Sequence, residues 1–304
     1  MSSNAISIGS GESQLPKPRA VLELLKPITW FPPMWAFACG AISVGGATLE
    51  RWPYVLLGIL LAGPLVCGTS QAINDWYDRE VDAINEPHRV IPSGRMPGRW
   101  GLYIALGGSA ISMLVALVLG PVVTAAAAIG LVFAWAYSMP PFRLKENGWL
   151  GNATCGFAYE SLPWITAAAA ATQVLPTNEL LAVALLYGLG AHGIMTLNDF
   201  KAIEGDRKLG IRSLPVQLGP IPAARIAAAT MALSQAAVIA ILFTIDAPVA
   251  ASLVAALLTV QLVCMTRLVT HPIRYAVWYS AIGVGLYVTG MMITAIALAL
   301  IGGA

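Results

Sequence analysis

Charge is scarce in this sequence. Only 11% of its 304 residues are Asp, Glu, Lys or Arg, against about 25% in an ordinary soluble domain. Hydrophobic residues make up 58%, and the mean hydropathy is +0.74. So little polar material cannot coat a globule of this size, which excludes a soluble domain and, equally, a disordered chain. Paired cysteine is also missing. Cys39, Cys67, Cys155 and Cys264 lie singly in apolar runs with no C-x-x-C among them, so they read as small packing residues rather than disulfides or metal ligands. A net charge of +2 is too weak to imply a nucleic-acid partner. The first 15 residues lack the basic-then-apolar order of a cleaved signal. Short alternating segments of a membrane barrel are absent as well. What remains is an all-α chain whose solvent is the lipid bilayer.

Nine apolar stretches are long enough to cross a bilayer as helices, which takes about 17–25 residues each. They run Ile28 to Gly46, Tyr54 to Ile73, Gly101 to Leu119, Val122 to Ser138, Asn152 to Ala171, Leu180 to Leu197, Pro222 to Ile245, Val249 to Thr266 and Val277 to Ile301. Pro and Gly mark the breaks, at Trp52-Pro53, Gly120-Pro121, Pro140-Pro141, Pro176, Gly219-Pro220, Pro248 and Pro272. All 17 Lys and Arg except Arg51 fall in the amino-terminal segment or in the links after the second, fourth, sixth and eighth stretches, or at their edges. Basic residues stay cytoplasmic. The amino end is therefore expected inside and the carboxyl end outside, in a multi-pass protein of the cell's inner (cytoplasmic or photosynthetic) membrane. Residues 1–304 read as one domain, with 1–25 as a polar, flexible cytoplasmic tail. Any chemistry belongs on the inner face, where two links are long: Asn74 to Arg99 and Asn198 to Pro220.

These links carry acidic clusters that rhyme. The first reads N-D-W-Y-D-R-E-V-D from Asn74, and a continued helix puts Asp75, Asp78 and Asp82 on one face. The second reads N-D-F-K-A-I-E-G-D-R from Asn198, where Asp199 and Asp206 again stand seven apart. Arg-Val-Ile-Pro from Arg89 and Arg-Ser-Leu-Pro from Arg212 follow at matching distances, which suggests a duplicated architecture with facing clusters. A single Asp beside a membrane helix is usually just a solvated end. Five at helical spacing, in two copies, repel one another unless cations neutralise them. Hard carboxylate oxygens suit Mg²⁺, which shares phosphate oxygens readily. Arg79, Arg89, Arg95, Lys201, Arg207 and Lys208 supply phosphate donors nearby. The pattern predicts a Mg²⁺–diphosphate site at the inner boundary. With an allylic lipid diphosphate, Mg²⁺ and the basic residues stabilise the leaving group, and an apolar bundle keeps water from the carbocation.

At this point the strings around the clusters resemble a known family. K-P-I-T-W-F-P-P-M-W-A-F from Lys26, N-D-W-Y-D-R-E-V-D-A-I-N-E-P from Asn74, I-P-S-G-R from Ile91, Y-S-M-P-P-F-R-L-K from Tyr137 and N-D-F-K-A-I-E-G-D-R-K-L-G-I-R-S-L-P-V from Asn198 are similar to the UbiA superfamily of intramembrane prenyltransferases. Within it they resemble the chlorophyll synthase family, including its bacteriochlorophyll-forming members. The resemblance implies a nine-helix UbiA-like bundle. It also implies transfer of a geranylgeranyl or phytyl group from its diphosphate to the ring-D propionate of (bacterio)chlorophyllide a. Mg²⁺ would be held by Asp75, Asp78, Asp82, Asp199 and Asp206, with Asn74, Asn198 and Arg207 beside them. Lys26, Arg89, Arg143 and Lys145 are further candidates for phosphate contacts. Pigment-pathway proteins are candidate partners. One departure is plain: many superfamily members carry an acid three after the first Asp of the second motif, where this chain has Ala202.

Two polar residues inside apolar spans are also candidates for binding the substrates. His192, seven before Asp199, is placed to ligate the pigment's Mg, or else to cap a helix contact. Glu160 is the one acid well inside an apolar span, and such residues are functional candidates by default. Trp30, Phe31 and Trp35 line the lipid cavity or join the interfacial aromatic belt, Trp30 more naturally the belt. Three rival functions differ by feature. Another acceptor (an aromatic acid, a quinone precursor or haem) would share the aspartates and change only the pocket. An ion-coupled transporter would place its acids at mid-membrane. A phosphatidyl-type transferase would open on D-G-x-x-A-R, which is absent.

Overall fold

A computed structural model describes residues 15–302 of the chain. Ten helices define its frame. α1 (Pro18–Leu25) and α2 (Phe31–Ile42) lead into a long helical rod, α3 (Trp52–Asn85). Then come α4 (Trp100–Leu119), α5 (Pro121–Ser138) and α6, helical over 148–172. The last four are α7 (Asn178–Asp199), α8 (Pro220–Thr244), α9 (Pro248–Thr270) and α10 (Pro272–Gly302). Short helices at Gly46–Glu50, Ile203–Leu209 and Leu214–Leu218 fill the links. Among the described residues the only β pairing is a single bridge between Asn147 and Arg212.

The helix starts follow from proline. α5, α8, α9 and α10 each open on Pro, whose missing N–H costs nothing in a first turn. Gly120 enters α5 at φ +117°, a conformation that only glycine adopts cheaply. Pro64 and Pro163 lie further inside and call for a different solution. α3 widens into a π-helix over Leu61–Cys67 around Pro64, and α6 does so over Phe157–Ser161, just ahead of Pro163. A π turn absorbs the lost bond and keeps the rod continuous.

Seven helices are long and apolar enough to cross a membrane: α3, α4, α5 and α7 to α10. The two other expected spans differ. α2 is apolar but has only 12 residues, and α6, though helical throughout 148–172, interrupts its apolar residues with polar ones including Asn152 and Glu160. A second difference concerns the amino-terminal tail. Residues 1–14 lie outside the described residues, but 18–25 form α1 rather than a flexible strand. Its Ala20 and Leu24 are buried against α3, because apolar residues recur on one face.

Small residues and buried polar pairs hold the carboxyl-terminal half together, as expected where lipid removes the hydrophobic incentive to pair. α7 packs along α8, and a Cβ at Gly193 would collide with the Ala227 carbonyl. Gln235 of α8 and Gln261 of α9 exchange hydrogen bonds at 3.1 and 2.9 Å in full burial. Trp164 stacks on Tyr187 at 5.5 Å, and Tyr187 meets Thr294 at 2.8 Å. This core leaves α2, α3, α5, α6, α7 and α10 to wall a cavity on the other side of α6.

Candidate functional site

The cavity encloses about 700 Å³ and has two ends of different chemistry. Its interior is apolar, walled by Phe37, Leu61, Val66, Phe133, Ile194 and Val284 among others. Asn74, Asn198, Lys145, Gln71 and Tyr137 give the end beside the two acidic motifs its polar groups. Both π segments contribute wall residues, Leu61 and Cys67 from one, Tyr159 and Glu160 from the other. Gln71 donates to the Tyr159 hydroxyl at 3.1 Å, joining α3 to α6 across the cavity.

α3 continues as a helix to Asn85, so the first motif does occupy one helical flank. Its carboxylates are neutralised by protein cations. Asp75, with a side chain only 3% exposed, accepts from Lys26 Nζ at 2.5 Å and Arg89 at 3.3 Å. Arg89 also reaches Asp82 at 3.0 Å. Asp78 turns to the link after α5, where Lys145 holds both its oxygens and Arg143 stands at 3.7 Å. Asn74 donates to Asp78 at 3.0 Å and to Ser138 at 3.2 Å. Lys26 and Arg143 sit at φ +47° and +36°, in the left-handed region. That costs about 1–2 kcal/mol per non-glycine residue and is typical of functional sites. Burial pulls the Lys145 ammonium below the ordinary lysine range, with Asp78 opposing the shift.

The second motif is built otherwise. Asp199 ends α7 and accepts only an uncharged donor, Asn152 of α6, at 3.0 Å; Asn152 also donates to Thr196 at 3.2 Å. Asp206 rides on the short helix Ile203–Leu209, and burial raises its carboxyl above the usual range. Arg207 is exposed, and among the described residues it joins no ion pair with either aspartate. The two motifs are tied through the link after α5. Gly148 donates to the Arg212 carbonyl and Arg212 to that of Glu146, both at 2.8 Å. Lys145 therefore stands between them.

Not every candidate residue borders the cavity. The aspartates do not line the cavity; their neighbours Asn74 and Asn198 do. His192 is not in the wall either. The cavity stripe of α7 runs through Ala191, Ile194, Met195 and Asn198, a helical step of about 100° away from the His192–Asp199 stripe. His192 instead packs its ring on Trp149, 5.8 Å between centroids. Trp30 pins the end of α1 by donating to the Leu25 carbonyl at 2.8 Å, whereas Phe31 lines the cavity and Trp35 donates to the Val288 carbonyl at 3.1 Å. Among the described residues, no three acidic, His or Cys side chains converge on one point. The repulsion expected of the first cluster is relieved by Lys26, Arg89, Arg143 and Lys145 instead. The donor set still fits a hard divalent ion: carboxylate and carboxamide oxygens flank the polar end, with the cations that would accompany a phosphate. Asn152, Gln71 and Tyr159 went unnoticed in the sequence, although polar residues within apolar spans were the available signal.

A membrane bundle with an apolar chamber, a cationic mouth and paired acidic motifs is the architecture of an intramembrane prenyltransferase. Residues 29–278 match the UbiA prenyltransferase family, and the chain belongs to it. It is 53% identical to the "Bacteriochlorophyll synthase 33 kDa chain" of Cereibacter sphaeroides, over 97% of each chain. It is 38% identical to the chloroplastic chlorophyll synthase of Arabidopsis thaliana, over 91% of this chain and 73% of the relative. A UbiA homolog from Archaeoglobus fulgidus, solved bound to GPP and Mg²⁺, shares the fold at a TM-score of 0.68. Its identity is 21%, over 88% of this chain and 99% of that one. The protein is a multi-pass membrane prenyltransferase.

Proposed function

We propose that this enzyme esterifies the ring-D propionate of (bacterio)chlorophyllide a with a geranylgeranyl or phytyl chain, releasing diphosphate. The observation that carries the reading is the two-ended cavity, apolar within and edged by Asn74, Asn198 and Lys145 at the acidic motifs. A polyprenyl tail fits the apolar part and its diphosphate the polar end. Lys145, Arg143, Lys26 and Arg89 are poised to exchange an aspartate oxygen for a phosphate oxygen, since both are anionic acceptors of the same donors. Asp75, Asp78, Asp82, Asp199 and Asp206, with Asn74 and Asn198, are the groups to hold Mg²⁺. When bound, Mg²⁺ supplies Lewis-acid stabilisation of the departing diphosphate.

The allylic C–O bond breaks with its electron pair leaving on diphosphate, and a propionate oxygen lone pair forms the new C–O bond. No proton moves, because a propionate is already ionised near neutral pH. The chamber's contribution is to exclude water from the allylic cation with side chains such as Phe37, Phe133 and Val284. The reading includes nine crossings, counting α2 and α6 with the seven long helices. It also places the amino terminus and both motifs in the cytoplasm, supported by the one-sided Lys and Arg distribution. Membranes bearing the enzyme are to be given Mg²⁺, geranylgeranyl diphosphate, and bacteriochlorophyllide a or chlorophyllide a separately. An apolar pigment ester that EDTA abolishes is the expected product. Transfer to a hydroxybenzoate or quinone precursor instead of either pigment would overturn the acceptor.

A further inference from the structure

Glu160 is unexplained by this chemistry. It lies in the π segment of α6, is 6% exposed, and faces the cavity. Its Oε2 is buried without a hydrogen-bond partner. Among the described residues Lys145 is the only basic one in the cavity wall, and it is held by Asp78, so no cation among them balances Glu160. A lone carboxylate in such a wall costs several kcal/mol unless a ligand partners it. A buried polar group left unpaired this way is most economically explained by a ligand that completes it.

Position identifies the ligand. Asn152, on the same helix, holds Asp199 at the polar end, and Glu160 follows eight residues later, about 12 Å further along the helix axis at 1.5 Å per residue. A prenyl chain at that depth is pure hydrocarbon and offers no acceptor. The tetrapyrrole does, because carbonyl groups stand on its rim. With the propionate at the polar end, a substituent on the neighbouring ring A reaches toward the depth of Glu160. We propose that Glu160 donates a hydrogen bond to a ring-conjugated carbonyl at the 3-position of the acceptor, on the ring next to the one that bears the propionate, so that it distinguishes an acetyl from a vinyl group there. This rests on the chlorophyllide reading and adds to it a specificity-determining residue.

The test offers 3-acetyl- and 3-vinyl-chlorophyllide a, with geranylgeranyl diphosphate and Mg²⁺, to the wild type, Glu160→Gln and Glu160→Leu. One hydrogen bond predicts a preference of about three- to tenfold in kcat/KM for the acetyl pigment in the wild type. The Gln variant, which keeps an N–H donor, retains it. In the Leu variant the preference falls to parity through the pigment KM. Resonance Raman spectra of bound 3-acetyl pigment should show the acetyl C=O stretch lowered in the wild type and Gln variant and free in the Leu variant. A wild type without the preference, or with a free acetyl stretch, overturns the proposal even if the Leu variant fails to fold. So does a preference that survives Glu160→Leu. Failure of the wild type to esterify either pigment overturns the acceptor reading instead, and the outcomes do not overlap.

Discussion

The two acidic motifs look alike in sequence and differ in what surrounds them. Asp75, Asp78 and Asp82 are gripped by four cations, one of them from 49 positions upstream, and Asp75 is nearly inaccessible. Asp199 is held by a single amide, and Asp206 sits on a short helix among exposed residues. Charges paired in burial cannot lose a partner without penalty. A carboxylate with only a neutral donor has no protein cation to displace when a metal binds. The first motif is thus a structural clamp as well as a candidate part of the site, while under the proposed function the second would serve chemistry alone.

Asp78→Asn and Asp199→Asn are each expected to lower kcat by a hundredfold or more, about the cost of one lost electrostatic contact to a developing charge. Near-normal turnover in both would sink the metal–diphosphate assignment. Stability separates the motifs next. Asp75→Ala leaves Lys26 without its carboxylate and takes one partner from Arg89, which keeps Asp82, and should cost about 3 kcal/mol, read as a lowered Tm in detergent. Asp199→Asn should leave Tm unchanged. Equal Tm losses would erase the distinction between clamp and contact.

A smaller effect is expected with pH. Because Lys145 is held below the ordinary lysine range, chiefly by burial, it loses its proton at lower pH than a free lysine. Its charge is present on the acid side and lost as pH rises through that lowered value, so kcat/KM should fall on the alkaline side. Lys145→Arg, which stays protonated, should move that limb upward. An alkaline limb that does not move would remove Lys145 from phosphate binding.

Much of this was legible in the sequence, for physical reasons. Gly120-Pro121, Gly219-Pro220, Pro248 and Pro272 interrupt apolar runs so sharply that most helix limits fall within a few residues of expectation. The repeated N-D strings likewise located the polar end of the cavity. Orientation about each helix axis was harder to read. A helix turns about 100° per residue, so the cavity can face Asn74 and Asn198 while the neighbouring aspartates turn away from it. His192, one step round α7 from the cavity stripe, takes the helix-contact alternative and packs on Trp149. The π segments escaped notice because periodicity assumes an unbroken α-helix. Lys26 is in the matching strings, yet nothing local says that it crosses to Asp75; only the bend after α1 brings it there.

The weakest expected effect probes the second motif most directly. Ala202 stands where the resemblance leads one to expect an acid. Here it is exposed and caps the short helix Ile203–Leu209, accepting from the Asp206 N–H at 2.7 Å while its own N–H donates to the Asp199 carbonyl at 3.0 Å. Ala202→Asp would add a third carboxylate, between the other two in sequence, at an exposed position. It would also cap the helix, worth about 1 kcal/mol. The two consequences separate by metal: capping raises Tm with or without Mg²⁺, whereas a new ligand lowers the Mg²⁺ concentration for half-maximal activity, by a few-fold. If Tm rises and the Mg²⁺ dependence stays put, Asp199 and Asp206 do not share an ion, and the burden of metal binding shifts to Asp78 and its neighbours. If the Mg²⁺ requirement falls, the bare motif holds its own ion, and the four cations of the first are free to serve the diphosphate.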